Sequence, residues 1–217
     1  MRPQLVFVLL IMSAATCVAQ QWEVGGLGGY AWYHDATITS PAGSASIGIA
    51  PKGGIGAVFG ENMYKYIGGE VRWMYIWGQP HIKANGIELS RPGFSNIVHY
   101  DFLIHTAPDE ARLRPFFAIG GGVRVYSGRR DLGQALIVGP NQFLFPVDFS
   151  RTRNETEGLI SAGGGLKYVV THHVQVRLDF RAYMTPTPTD LFRPISPFVT
   201  HGWIYSFVPS LGVSYLF

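Results

Sequence analysis

The side chains best placed to do chemistry lie between Phe94 and Thr106, where His99, Asp101 and His105 share one parity of an alternating segment. Two imidazoles and a carboxylate at that spacing are the groups a metal site or a proton relay uses. Glu70 and Arg72 fall on the corresponding parity of the preceding segment and could lie beside them. The competing reading is an interior polar network that fills and stiffens a barrel; barrel membership favours it, and the wider charge pattern is compatible with it. Glu23, Glu70, Asp101, Glu157 and Asp179 stand against Arg72, Arg114, Arg124, Lys167, Arg177 and Arg181, always opposite an apolar row. Signs so nearly balanced suit a narrow interior that holds ions as pairs. We therefore assign no catalytic residue, no metal ligand and no cofactor, and read His172-His173 as a surface pair in a short turn.

These residues need elements to position them, and the last segment shows which kind. Phe217, Tyr215, Val213, Leu211, Pro209, Phe207, Tyr205 and Trp203 fall on one face, while Ser214, Gly212, Ser210, Val208, Ser206 and Ile204 fall on the other. A period of two marks a strand. This one exceeds the roughly 9 to 11 residues that a tilted strand needs to cross a bilayer. Similar alternation predicts strands over 22–33, somewhere within 47–60, then 65–77, 94–106, 113–127, 156–170, 174–184 and 201–217. The second is blurred by Pro51 and by glycines. Loops are expected over 34–46, 78–93, 128–155 and 185–200, with tight links near 61–64, 107–112 and 171–173.

Short and long connections alternate, as an up-and-down antiparallel barrel requires when its rims face different surroundings. A soluble barrel would show the same period with its apolar residues inward. Three features place the apolar face outward, against lipid. Trp and Tyr gather near the ends of the apolar rows, at Trp22, Trp32, Trp73, Tyr75, Trp77, Trp203, Tyr205 and Tyr215, as interfacial belts do. Glycine recurs on the charged face, which suits a crowded interior, and the chain ends on an alternating aromatic strand. The predicted fold class is all-β, an eight-stranded antiparallel up-and-down transmembrane β-barrel.

Composition agrees with that assignment. The 217 residues are 47% hydrophobic but only 14% charged, with 27 glycines. Barrels disperse their hydrophobicity in this way. A net charge of +3 is too small to indicate nucleic acid, and a modest attraction to phosphate-bearing lipids is compatible with it. Arg2, the apolar run Leu5 to Met12 and the small residues ending at Ala19 predict a secretory signal over residues 1–19, with the barrel domain over 20–217. Cleavage there removes Cys17, the single cysteine, so no disulfide is expected. Acylation of Cys17 is the minor alternative.

The signal, the strand count, the rim asymmetry and the terminal Val213-Ser214-Tyr215-Leu216-Phe217 resemble the small outer-membrane β-barrels of Gram-negative bacteria, of the OmpA-type transmembrane domain, OmpX and OmpW kinds. That resemblance implies residence in the outer membrane after export. It also implies recognition of Leu211, Val213, Tyr215 and Phe217 by the barrel-assembly machinery. Pro51 and Pro209 depart from the pattern, and no peptidoglycan-binding domain follows the barrel. Barrels of this size include lipid A and phospholipid enzymes. The deacylase type needs a His-x-Ser that no histidine here supplies; the palmitoyl-transferring type uses scattered residues that spacing does not test. The leading expectation is a non-enzymatic structural or adhesive protein with a filled lumen. A small porin or conduit for apolar molecules is second, and a lipid-modifying enzyme third. In the 128–155 connection, Arg129, Arg130, Arg151 and Arg153 bracket apolar stretches at 135–138 and 143–149. Those stretches could form a hairpin, and the arginines could contact lipopolysaccharide phosphates.

Overall fold

The computed structural model describes residues 21–40, 43–84, 87–90, 92–128, 135–138, 144–147, 153–188 and 202–217, some of the outer hairpins by backbone course alone. Thirteen strand segments are assigned among these residues: β1 Gln21–His34, β2 Ala36–Ser40, β3 Gly43–Ala50, β4 Lys52–Asn62, β5 Ile67–Ala84, β6 Ile87–Ser90, β7 Gly93–His105, β8 Leu113–Gly128, β9 Ala135–Val138, β10 Leu144–Val147, β11 Arg153–Thr171, β12 Val174–Pro186 and β13 Trp203–Leu216. No described helix is long and apolar enough to cross a membrane.

Eight of the segments are staves of a closed barrel. Going round it, β1 pairs with β4, β4 with β5, β5 with β7, β7 with β8, β8 with β11, β11 with β12, β12 with β13, and β13 with β1 again, every pair antiparallel. Closure satisfies each stave on both edges, which is what lets strands stand in hydrocarbon. The last seam is completed by backbone bonds between Trp22 and Phe217 in both directions, at 2.9 and 3.0 Å. The rim holding Gln21 and Phe217 also carries the three short turns. The four long connections share the other rim.

Alternation sorts the two faces as the sequence predicts. Along β13, Tyr205, Phe207, Leu211, Val213 and Tyr215 are exposed on the outside, whereas Ser206, Val208, Ser210 and Ser214 are buried inside. The other staves repeat this, with Phe117 at 66%, Ile119 at 60% and Phe102 at 54% exposure. Trp73 is 40% exposed and Phe180 49%, while Arg177 is fully buried, so the soluble-barrel alternative is overturned. An apolar surface of this extent has a use in lipid and none in water. Aromatic pairs mark both rims: Tyr75 stacks on Phe94 and meets Trp77 edge-on near the long connections, and His173 stacks on Tyr215 near the short turns.

The long connections hold more strand than the sequence indicates. Residues 34–46, expected as a loop, contain β2 and the start of β3, and β3 pairs with the outer end of β5 from Ser46↔Lys83 to Ala50↔Gln79. Residues 78–93, also expected as a loop, contain the rest of β5 and its partner β6. Polar, Gly-rich composition concealed both, because a ladder standing clear of the membrane needs no apolar row facing lipid and buries only a short face around Ile49 and His81. Pro51 lies between β3 and β4, so the second stave is Lys52–Asn62, and the Tyr30 hydroxyl donates to the Pro51 carbonyl at 3.2 Å. Pro209 sits within β13, and the β1 ladder skips from Gly29↔Ser210 to Trp32↔Phe207, as a missing N–H requires. The expected apolar hairpin is present: β9 pairs with β10 from Ala135↔Val147 to Val138↔Leu144. Gly202 takes a φ of 141° as it delivers the chain into β13, a conformation side chains disfavour.

Candidate functional site

The barrel interior holds the chemistry, and it is an ion-paired core. Alternation aims Glu23, Glu70, Arg72, Asp101, Lys167, Arg177, Asp179 and Arg181 inward from β1, β5, β7, β11 and β12, and each is at most 2% exposed. Arg177 is the centre of the network. Its guanidinium donates to Glu23 at 2.8 Å, Glu70 at 2.7 Å and Asp179 at 2.8 Å. Glu70 in turn accepts from Arg72 at 2.7 Å and Arg181 at 3.0 Å. Asp179 also receives Arg72 at 3.1 Å, Asp101 receives Arg181 at 2.8 Å, and Glu23 receives Lys167 at 2.6 Å and the Ser214 hydroxyl at 2.7 Å. Four carboxylates thus face four cations. Neutrality together with several hydrogen bonds per ion is the condition under which buried charge is tolerable.

His99 joins this network. Its Nδ1 lies 3.0 Å from Asp101 and its Nε2 lies 3.2 Å from the Tyr183 hydroxyl, so carboxylate, imidazole and phenol form a chain across the lumen. His105, the other imidazole of the expected relay, does not join it. It is buried lower on β7 against the Phe116 ring, with both ring nitrogens unpartnered. Among the described residues, no three groups of His, Cys, Asp or Glu are disposed to hold a metal ion.

Space for the long side chains comes from glycines on adjoining staves. A Cβ at Gly120 would run into Asp101, one at Gly122 into His99, and one at Gly163 into Arg181. Phe116 closes the network toward the short turns, its ring 5.4 to 5.8 Å from Arg181, Lys167 and Arg177. Toward the long connections, the lumen passes from charged to apolar residues. Leu27, Val58, Met74, Ile76, Ile97, Leu159, Tyr183 and Val208 there form one buried cluster. Beyond it Arg124 donates to Ser95 at 3.0 Å, to Ser206 at 2.9 Å and to Tyr33, and lies over the Tyr33 and Tyr126 rings. Ionic, apolar and aromatic layers therefore follow one another along the lumen.

Not every predicted lumen charge belongs to the network. Arg124 uses hydroxyls and rings rather than carboxylates. Arg114 is buried but among the described residues bonds only Asn62, at 3.3 Å. Glu157 is half-buried near the rim and shares a hydrogen bond with Glu155 rather than with a cation. Alternation assigned its face, but β11 begins only four residues before Glu157 and places it near the aqueous end. The terminal residues Leu211, Val213, Tyr215 and Phe217 all lie on the lipid face at 50 to 60% exposure. Arg129, Arg130 and Arg151 fall outside the described residues, and Arg153 is described only as backbone, so the expected lipopolysaccharide contacts and the 1–19 signal have no structural description.

One cluster escaped the sequence reading. Asp35 accepts from Ser46 at 3.2 Å and lies 3.2 Å from His81 Nε2, joining the end of β1 to β3 and β5 above the barrel. Asp35 and His81 are 46 residues apart, both in stretches read as loops, so no periodicity linked them. The serine bonds the carboxylate rather than the imidazole, so this is a brace rather than an activated nucleophile.

No protein-family model matches the sequence, and no curated protein matches it. Solved structures do resemble the fold. Neisserial surface protein A is similar at a TM-score of 0.56 and 13% identity, over 90% of this chain and 97% of that one. A major outer membrane protein from Thermus thermophilus is similar at 0.53 and 12%, over 92% and 100%. Ail, the attachment invasion locus protein of Yersinia pestis, solved in complex with the heparin analogue sucrose octasulfate, is similar at 0.51 and 7%, over 92% and 100%. The chain has the fold of the small eight-stranded outer-membrane β-barrels.

Proposed function

We propose that the protein is an integral outer-membrane barrel whose work is structural and adhesive: a rigid, plugged cylinder that presents four long connections at one surface. The observation that carries this reading is the filled lumen. An eight-stranded barrel is just wide enough for side chains to fill, and this one stacks a neutral ionic layer, an apolar layer and an Arg124–tyrosine layer across its interior. Ions would have to breach all three. Reconstitution into planar bilayers with single-channel recording is the test: silence is expected, and stable openings would favour the porin-like reading instead.

The adhesive half of the proposal rests on the long-connection rim. Arg129, Arg130, Arg151 and Arg153 cluster in sequence beside the β9–β10 hairpin, and guanidinium groups bind phosphate or sulfate bidentately. Ail, similar in fold, was solved with a polysulfated sugar; the basic connection here is suited to an anionic glycan or lipopolysaccharide in the same chemical sense. Changing all four arginines to Gln is expected to weaken lipopolysaccharide binding by the refolded protein at least tenfold. Unchanged binding would remove the contact idea while leaving the plugged barrel intact.

A further inference from the structure

Arg114, like Arg124, is a buried lumen arginine outside the ion-paired network, and it leaves more of its donors unpartnered. It is 2% exposed, on the inner face of β8 near the short-turn rim. Its Nη1 donates to Asn62 Oδ1 at 3.3 Å, and Asn62 is itself held by Gln21 at 3.3 Å. Its Nε and Nη2 are buried without any partner among the described residues. Those two donors form one edge of the guanidinium, the parallel fork that matches the two oxygens of a carboxylate or phosphate. Arg124, the other lumen arginine without a carboxylate, donates from Nη1 and Nη2 to three hydroxyls and leaves only its Nε unpartnered among the described residues. Arg114 has one neutral acceptor, Asn62, and two donors left over.

Its surroundings supply further donors. His105 is one: its Cε1 lies 3.3 Å from where a Cβ would stand on Gly68, beside the Asn62 amide oxygen at 3.5 Å, which is the acceptor that Arg114 already uses. His105 feels the charges of Arg114 and Lys167 and, more weakly and with opposite sign, those of Glu23 and Glu70, and both of its ring nitrogens are unpartnered among the described residues. Gln175, on the same rim, has a buried and unpartnered Nε2. The charged groups acting on Arg114 are Glu23 in the lumen, already held by Lys167 and Arg177, and Asp109 and Glu110 in the exposed β7–β8 turn. Burying a guanidinium without a counter-ion is costly. Among the described residues none of these carboxylates is in ion-pair contact with Arg114, so its free guanidinium edge has no direct counter-ion.

We propose that the short-turn mouth of the lumen is a binding site for a small oxyanion of the phosphate or carboxylate class. The Nε–Nη2 edge of Arg114 grips it, and His105 lies beside it. Arg114 faces the lumen rather than the lipid, so the anion enters from the aqueous phase on the Gln21 and Phe217 side.

The test titrates inorganic phosphate into the refolded, detergent-solubilised mature protein, followed by calorimetry and by the unfolding midpoint. One saturable site is expected, with the midpoint rising as it fills. Arg114→Gln should weaken binding at least tenfold, and His105→Gln severalfold. Arg114→Lys, which keeps the charge but loses the fork, should fall between the wild type and Arg114→Gln. Asp109→Asn with Glu110→Gln should tighten binding by lowering competing negative charge. Absence of saturable binding by the wild type would overturn the proposal even if a variant failed to fold. Equal affinity in wild type and Arg114→Gln, showing an adventitious ion only, would overturn it as well.

Discussion

At the scale of single residues, the lumen behaves as one coupled object. Arg177 touches Glu23, Glu70 and Asp179 at once, so Arg177→Met leaves three carboxylates short of a partner. Breaking a buried pair from one side costs about 3 to 5 kcal/mol. Urea unfolding in lipid vesicles should show a loss of that order, and a loss below about 1 kcal/mol, the range of exposed pairs, would mean that water already screens the lumen. Glycines give a sharper contrast, since parity puts Gly120 on the lumen face with Arg114 and Arg124 and Gly26 on the lipid face with Val24 and Tyr30. A Cβ at Gly120 meets Asp101 and the Tyr100 carbonyl, whereas one at Gly26 meets nothing within 4 Å. Gly120→Ala should therefore destabilise by about 1 to 3 kcal/mol, as overpacking does, while Gly26→Ala stays near neutral in the same unfolding measurement.

Parity made the inward direction of Glu70, Arg72, Asp101, Asp179 and Arg181 legible before any coordinates. Which carboxylate met which cation was not legible. Partners such as Glu23 and Arg177 stand 154 residues apart, and their meeting depends on how staves lean across the cylinder. His99 and His105 share a parity too, yet only His99 reaches the network. The difference is height along the stave, which alternation does not encode.

At the scale of elements, the staves are specified by what they face on each side. Phe180 lies outward on β12, stacked near Phe207 at 6.1 Å between ring centroids. A charge there would enter the hydrocarbon, so Phe180→Arg is expected to cost about 2 to 4 kcal/mol, the range for Arg near a bilayer midplane. The same substitution at exposed Tyr64, in the turn before β5, should cost far less in the same unfolding assay. Membrane staves were legible because lipid and lumen demand opposite chemistry at alternate positions. The extensions β2, β3, β6 and the outer part of β5 were not. The face they bury is short and made of residues such as Gly48, Ile49, Pro80 and His81, which carries no long apolar alternation, so composition alone read them as loops.

For the molecule as a whole, closure of the sheet and layering of the lumen make a barrier rather than a passage. Removing the apolar layer would be a way to open it: Met74→Ser with Ile97→Ser replaces two fully buried side chains with small polar ones. In planar bilayers the wild type should stay silent, and the double variant should show at most brief openings, because the ionic and Arg124 layers remain. Full, stable conductance in the wild type would mean that the layers do not seal.

Apolar residues meeting lipid while the ionised groups stay enclosed is the arrangement on which all of this depends, and spin labels placed one at a time along β13 test it most directly. Labels at Phe207, Leu211 and Val213 in vesicles should show high collision with oxygen and little with a water-soluble nickel complex. Labels at Ser206 and Ser210 should be shielded from both, giving a period of two. High nickel access at Leu211 and Val213, or free nickel access at Ser210, would contradict it.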